Sequence, residues 1–377
     1  MKYWRGYLVA AILAACTWAF REFAQTHTKL VDMIYPYVTR MIQNFMAGWS
    51  GGVEFCVWQA VLLALAAVGV ATIVLMIIFK WNPIQWFGWI TAVVSLIVLL
   101  HTGIFGMNEF AGPMAEDIRL AETACTNEEL EAAAVYYRDK ANELSGKVSG
   151  GMDLAMLNEQ AVSGFKKLVY ENYFSVFAGS TAPVKELGMA EQFTSRGEMG
   201  YTAAITGEAA INPETPEFMK PFAVSREMCY RMAIASQRDK HFGAFLACQA
   251  NENADFQYAG YLMAYRYCLK ELPDLIANTV HAQANTKVKN DVDTWDDFVA
   301  PAEKLAAEQA EKDGLKNTTD GEIADLLVRW HYQEVVIPSI TEPEVTFDPM
   351  DETQVDLTGL PHGPEPTEAV EETEAAA

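Results

Sequence analysis

The sequence lacks both a Cys-x-x-Cys pair and an excess of basic residues, and these two absences remove several classes of protein. Its six cysteines are widely spaced, which is typical of neither a zinc-binding motif nor a dense disulfide framework. We expect buried free thiols at Cys125, Cys229, Cys248 and Cys268. The formal net charge is −23, so no basic patch is available to neutralise phosphates and we expect no nucleic-acid partner.

Recognisable catalytic motifs are also lacking. Residues 146–151 contain glycine and lysine, but in neither the order nor the spacing of a phosphate-binding loop. The chain shows no Ser/His/Asp or Cys/His arrangement that is typical of nucleophilic catalysis. The motifs therefore predict no cofactor.

Long uncharged runs, in contrast, occupy much of residues 1–105, which we interpret as a membrane region. Residues 57–79 and 84–105 carry no charge, and each exceeds the roughly 20 residues that a membrane-spanning helix needs. A shorter run at about 4–22 predicts a third, retained transmembrane helix. The alternatives for this run are a signal-peptide segment or a lipoprotein cleavage box that ends at Cys16. The sequence therefore predicts a lipid bilayer as a partner.

Residues 32–46 place apolar side chains at helical spacing and predict an amphipathic helix. Pro36 is expected in its first turn, where a missing N–H is tolerated. Such a helix either lies at the membrane surface or packs against the soluble domain, and the sequence leaves both alternatives open.

Few basic residues determine the predicted orientation. Lys2, Arg5 and Lys80 cluster in the N-terminus and in the turn between the second and third spans. The positive-inside rule then places these segments in the cytoplasm. After three crossings, the large domain is expected outside the cytoplasm of a bacterial cell membrane.

The rest of the chain predicts a mainly α protein with a small β component. Residues 106–337 form a mostly helical domain, in which Thr126 begins a helix that runs to about residue 144. The glycine-punctuated stretch 184–211 predicts short strands around residues 193 and 201–205. Residues 338–377 are rich in Pro, Glu, Asp and Thr and predict a disordered acidic tail.

One helix within residues 225–269 carries a degenerate motif. Arg226 and Tyr230 are four residues apart and share one helix face, with Glu227 beside them. A zinc peptidase helix has the form His-Glu-x-x-His, in which the two imidazoles bind the metal and the glutamate is the general base. Here the glutamate is present as Glu227, but neither ligand position holds a histidine.

Four segments in this order resemble a bacterial membrane family known as domain of unknown function 3810. Residues 204–212 (AITGEAAIN), 226–230 (REMCY), 237–242 (QRDKHF) and 258–262 (YAGYL) correspond to the family segments PFTGEANxN, HELAH, EDEANF and YSGYL. Members of this family look like membrane-anchored zinc peptidases of the gluzincin kind. The resemblance implies a gluzincin-like α+β domain with a small sheet beside the motif helix.

The resemblance also implies where a metal site belongs. Its three zinc ligands fall at Arg226, Tyr230 and Gln237, none of which is a good zinc ligand, while Glu227 keeps the position of the base. The vestigial groove that the resemblance implies contains Thr206, Glu208, Arg226, Glu227, Tyr230, Asp239, His241 and Tyr258.

Three hypotheses for the function follow. The preferred one is a non-catalytic pseudopeptidase that binds or scaffolds a protein or peptide at the cell envelope. In this hypothesis Arg226 replaces the zinc charge and pairs with Asp239; the alternative is that Arg226 projects to solvent. The alternatives are an active metallopeptidase with a displaced zinc site, for which Asp239 and His241 do not converge, and a structural membrane protein without a pocket function.

Overall fold

A computed structural model describes residues 4–121, 123, 125–313 and 319–341, and this part of the chain is mainly helical. The membrane region begins the chain and ends in a 3₁₀ turn at Gly106–Phe110 that leads into the domain. Its helices are α1 (Arg5–Thr26), α2 (Thr28–Ser50), α3 (Val57–Ile78) and α4 (Pro83–Ile104).

Helices α1, α3 and α4 are long and apolar enough to cross a membrane. Each has 22 residues, which corresponds to about 33 Å at about 1.5 Å per residue and matches a hydrocarbon core of about 30 Å. The predicted spans at 57–79 and 84–105 agree closely with α3 and α4. The first helix is longer than the predicted 4–22, because it continues four residues past Glu22, to Thr26.

Helices α1 and α4 run parallel and in close contact. Gly6 of α1 faces Gly88 of α4 so closely that a Cβ atom on Gly6 would clash with the Gly88 backbone. Small residues allow this approach between helices in a membrane. Because both glycines lie near the start of their helices, the N-terminus and the turn between α3 and α4 lie at the same end of the membrane region.

Helix α2 lies against the domain. The Arg40 Nε–H donates to the Met232 carbonyl (2.9 Å), and the Gln43 side-chain amide donates to the Ala204 carbonyl (2.7 Å). Of the two predicted placements, the structure shows packing against the domain. Pro36 lies inside the helix rather than in its first turn, because α2 begins earlier than predicted, at Thr28.

The opposite face of α2 is apolar and exposed. Its side chains recur every fourth residue, which places them in one stripe along the helix. This stripe consists of Met33, Tyr37, Met41, Phe45 and Trp49.

The domain packs around three buried helices, α10 (Lys220–Arg231), α11 (Gln237–Ala250) and α12 (Ala254–Glu271). Their side chains belong to one hydrophobic core that also includes parts of the preceding and following helices. The predicted helix at Thr126 is confirmed, and Thr126 and Glu129 form a capping box at its start. The helices are α5 (Met114–Asp117), α6 (Asn127–Ser145), α7 (Leu154–Leu168), α8 (Phe174–Phe177), α9 (Ala190–Thr194), α10 (Lys220–Arg231), α11 (Gln237–Ala250), α12 (Ala254–Glu271), α13 (Asp274–Ala282), α14 (Thr286–Lys312), α15 (Thr319–His331) and α16 (Ile337–Thr341).

A small sheet lies beside α10. Its strands are β1 (Lys185–Glu186), β2 (Gly200–Ala203) and β3 (Glu208–Ile211), in the order β1-β3-β2. Strand β3 pairs parallel to β1 and antiparallel to β2. The small sheet is therefore confirmed, but the strand predicted around Phe193 is wrong, because this residue lies in the short helix α9.

Two further predictions need correction. Cys125 is exposed, whereas Cys229, Cys248 and Cys268 are buried free thiols as expected. The predicted acidic tail begins too early, because residues 338–341 belong to α16. The remainder of the tail, residues 342–377, lies outside the described residues.

Candidate functional site

The structure brings the four degenerate motif positions to one cavity. Arg226, Glu227 and Tyr230 lie on α10, and Gln237 is the first residue of α11. All four line a cavity of about 520 Å³ between α10, α11, the sheet and the first turns of α3. The side chain of Ser236 accepts a hydrogen bond from the Asp239 N–H and so caps the start of α11.

The guanidinium of Arg226 is buried and fully engaged. Its Nη1 forms an ion pair with Glu227, its Nε donates to His241 Nε2 (2.8 Å), and its Nη2 donates to the Gln237 side-chain oxygen (3.3 Å). The residue is only 6% exposed. Arg226 therefore occupies the space between three of the predicted site residues and does not project to solvent.

The predicted partner of Arg226 was wrong. Asp239 pairs with its neighbour Arg238 (2.8 Å) and accepts the Met114 N–H (3.4 Å). Gln237 and His241 are four residues apart and face Arg226 together, whereas Asp239, two residues from each, lies on another side of α11. The assumption that adjacent Arg226 and Glu227 diverge failed, because the long arginine side chain folds back onto the carboxylate.

The carboxylate of Glu227 has a second partner on the sheet. The Thr202 hydroxyl donates to Glu227 Oε2 (2.7 Å), while Oε1 binds Arg226. Gly200 permits this contact, because a Cβ atom there would lie 2.8 Å from Glu227 Cγ and 2.7 Å from the Ala210 carbonyl oxygen. Both oxygens of the would-be general base are thus held by protein groups.

His241 is held as a neutral imidazole. Its Nε2 accepts from Arg226, so the ring proton lies on Nδ1, which donates to the Tyr267 hydroxyl oxygen. Burial, together with the nearby positive charges of Arg226 and Lys240, holds the pKa of His241 well below its ordinary value.

Lys240 is the unusual cation of this site. It is 5% exposed, it lines the cavity, and its ammonium lies 4.9 Å from the centre of the Tyr230 ring. Within the described residues its ammonium makes no hydrogen bond or ion pair. Burial, followed by repulsion from Arg226, lowers the pKa of Lys240 to about 7.

A second cavity adjoins the first, and together they form one groove. The 520 Å³ cavity, which we call the membrane arm, is lined on one side by Trp58 and Leu62 of α3. The other, of about 270 Å³ and called the outer arm, lies between α11, α12 and α14. Arg226, Gln237 and Glu198 line both arms. A further cavity of about 440 Å³ also shares Gln237 and contains Asp239, but Arg226, Glu227 and Tyr230 do not line it.

Four of the predicted groove residues line neither arm: Thr206, Glu208, Asp239 and Tyr258. Glu208 accepts the N–H groups of Val57 and Trp58 (2.9 Å each) and the ammonium of Lys185 (2.6 Å). It therefore caps the first turn of α3 and joins the sheet to the membrane region. Thr206 lies in the hairpin turn before it, so the resemblance of this segment marks an anchor rather than a groove wall.

Tyr258 also lies elsewhere. Its hydroxyl donates to Asp291 on α14, and the ammonium of Lys287 lies 5.1 Å from the centre of its ring. Burial, followed by the hydrogen bond to the Asp291 carboxylate, raises the pKa of Tyr258 above its ordinary value. Tyr258 thus stabilises the packing of α12 against α14 and lines neither arm.

The arrangement does not fit the zinc ion that the resemblance implies. Across residues 4–121, 123, 125–313 and 319–341, no group of three His, Cys, Asp or Glu side chains is placed to hold a metal ion. At the motif itself, a guanidinium fills the space between the glutamate and the imidazole. A permanent cation there is incompatible with an adjacent dication.

Sequence reasoning missed Lys240 and Trp58. Lys240 follows Gln237 by three residues, so helical spacing alone places it on the face that carries the motif position. Trp58 is 168 residues before Arg226, and no local pattern connects it to the motif helix.

The fold defines the class of this protein. It is mainly helical, and three apolar helices of membrane-spanning length join a helical domain that contains a small sheet. The chain belongs to the family described as "Protein of unknown function (DUF3810)", which matches residues 31–313. No curated protein and no solved structure matches it. The predicted family is thereby confirmed, and the likeness to gluzincin peptidases stays a prediction.

Proposed function

We propose that this chain is a membrane-anchored, non-catalytic pseudopeptidase that binds a protein or peptide at the bacterial cell envelope. The engagement of Arg226 carries the proposal. A single guanidinium holds Glu227 and His241, which are the groups best suited to general base catalysis at this site.

The chemistry of these groups supports binding rather than hydrolysis. A general base needs a free lone pair directed at the proton that it removes. Both oxygens of Glu227 and the Nε2 lone pair of His241 already accept hydrogen bonds. Releasing either group requires breaking a buried charge-assisted contact, which costs about 3–5 kcal/mol.

The outer arm supports a peptide as ligand. It combines charged residues, Arg266, Glu303 and Glu198, with the apolar walls of Met263 and Trp295. Such a mixture suits the polar backbone and the varied side chains of a peptide. The alternatives remain an active metallopeptidase with zinc at a displaced site and a structural membrane protein without a pocket function.

The proposed location is the bacterial cell membrane, with the N-terminus cytoplasmic and the domain outside. The parallel arrangement of α1 and α4 supports this topology, since it places the N-terminus and Lys80 at the same end of the membrane region. A reporter enzyme fused after Glu116 tests the orientation. Activity typical of a cytoplasmic reporter at that position would overturn it.

Metal analysis of the purified full chain tests the non-catalytic role. We expect the wild type to contain only traces of zinc, far below one ion per chain. Restoring the family residues with Arg226→His, Tyr230→His and Gln237→Glu together tests whether the fold still supports a site. A matched control carries Arg119→His, Tyr170→His and Gln283→Glu at positions remote from the groove.

The outcomes separate the hypotheses. Zinc in the restored variant, with none in the control, is expected if the framework of a metal site persists under the substitutions. Stoichiometric zinc in the wild type would instead contradict the non-catalytic role and favour an active enzyme with a displaced site.

A further inference from the structure

The geometry points to the membrane arm as a binding site for an anionic amphiphile from the bilayer, with its head group at Lys240 and its acyl chain along α3. This site goes beyond the peptide binding proposed for the outer arm, and each can fail without the other. The inference rests on the juxtaposition of a buried cation, which forms no hydrogen bond or ion pair within the described residues, with the first turns of an apolar, membrane-length helix.

The head-group end of the arm contains the charge. Within the described residues, the Lys240 ammonium makes no hydrogen bond or ion pair, although it is 5% exposed and lines the cavity. An unpaired buried cation is costly unless a partner binds it. A carboxylate or phosphate monoester supplies that partner through a charge-assisted hydrogen bond.

The charges around Lys240 favour an anion. Arg226 and Arg196 also line the arm, as do the carboxylates of Glu227 and Glu198. Arg226 and Glu227 neutralise each other in a direct ion pair. With Lys240 protonated, the three cations exceed the two carboxylates by one charge, so the arm is complementary to a single negative charge.

The titratable tyrosines of the arm do not supply this negative charge. Burial raises the pKa of both Tyr201 and Tyr230, and the charge of Glu227 raises that of each further. Both therefore remain neutral hydroxyl groups near pH 7, which can donate to a bound anion.

The other end of the arm is apolar and adjoins the membrane region. Trp58 and Leu62 are one turn apart on α3, and Phe193 and Met189 lie opposite them. Helix α3 is apolar and exposed along almost its whole length. An acyl chain that follows α3 therefore reaches the arm without leaving an apolar environment, which a soluble peptide does not require.

The test uses the full chain in a non-ionic detergent, titrated with 9,10-dibromostearate, whose bromine atoms quench tryptophan fluorescence on contact. We expect a saturable quenching component that is absent in Trp58→Phe, because the ring of Trp58 lines the arm. The methyl ester of the same probe is the matched neutral ligand and is expected to lack this component.

Charge variants test the head-group site. Lys240→Met is expected to weaken the saturable component by about tenfold or more, the effect of losing one charge-assisted hydrogen bond. Lys147→Met, at an exposed lysine two residues after the end of α6, is the matched control and is expected to leave it unchanged. Lys240→Gln serves as a second variant if Lys240→Met does not fold.

Several results would overturn the inference. Equal saturable quenching by the acid and the ester would show that the negative charge of the ligand does not contribute to binding. This comparison needs only the wild type. Displacement of the probe by inorganic phosphate as effectively as by decyl phosphate would show that the alkyl chain of the ligand does not contribute to binding. Displacement by a soluble peptide with a free carboxyl terminus, but not by decyl phosphate, would assign the arm to a peptide.

Discussion

Two ion pairs in this domain are buried to the same extent but differ in whether the charged groups beside them have partners. The side chains of Lys185 and Glu208 are 8% and 0% exposed, and those of Arg226 and Glu227 are 8% and 2% exposed. Around the first pair, the Lys185 ammonium donates to Glu208 and to the carbonyls of Ser50 and Phe55, at 2.6–3.0 Å. All three of its protons therefore have acceptors.

The second pair has a different neighbour. Beside Arg226 and Glu227 lies Lys240, whose ammonium makes no hydrogen bond or ion pair within the described chain, and the three residues line the membrane arm. Burial alone does not distinguish a structural ion pair from a binding site, since both pairs are equally buried. The distinction lies in whether every charged group next to the pair has a partner.

The anchor pair is expected to give the largest loss on mutation. Glu208→Ala leaves the Lys185 ammonium buried without a counter-charge and removes the acceptor of two N–H groups of α3. Breaking such a pair costs about 3–5 kcal/mol. Thermal unfolding in detergent, followed by circular dichroism, measures the change.

A matched control for the anchor is Glu143→Ala, which removes an exposed partner of Lys147 and is expected to leave the melting temperature nearly unchanged. Adding Lys185→Met to Glu208→Ala should recover part of the loss, because no unpaired charge remains. A loss for Glu208→Ala no larger than that of the control would contradict the anchor.

The groove pair is expected to be less sensitive. Arg226→Ala leaves Glu227 without its cation, but Thr202 still donates to this carboxylate and water can enter from the adjoining cavity. We therefore expect a loss of about 3 kcal/mol, near the lower end for a buried pair. Arg119→Ala, at an exposed arginine, is the control. Equal melting temperatures for the two variants would mean that Arg226 does not hold the groove together.

Local sequence patterns predicted some parts of this molecule but not the partners of its two buried ion pairs. Helical spacing and uncharged run lengths predicted α3 and α4, and the i, i+4 relation brought Arg226 and Tyr230 onto one face of α10. The role of Glu208 could not be predicted, because its partners Lys185 and Val57 are distant in sequence and meet only when the sheet packs against α3. The direction of the Arg226 side chain likewise depends on α11, not on its own helix.

The last and smallest expected effect is a gain of stability. Lys240→Met removes an ammonium whose burial lowers its pKa from the ordinary 10.5 to about 7. The shift alone destabilises the folded state by about 4–5 kcal/mol when the ammonium is protonated in both states. Removing the ammonium relieves this cost, but the variant also loses the contact between Lys240 and the Tyr230 ring, which contributes up to about 2 kcal/mol. We expect Lys240→Met to be more stable than the wild type by about 2 kcal/mol at pH 7.

The pH dependence identifies the cause of this gain. Between about pH 7 and 10.5 the unfolded chain binds more protons at Lys240 than the folded chain, so the stability of the wild type rises with pH across this window. The advantage of Lys240→Met should therefore be largest near pH 7 and shrink towards pH 10, as melting curves of both proteins at pH 7, 8.5 and 10 will show. Lys147→Met should show no such trend. An advantage that does not change with pH would mean that the methionine side chain fills space rather than relieves a buried charge, and the membrane arm would then lose its distinction from the saturated pair at Glu208.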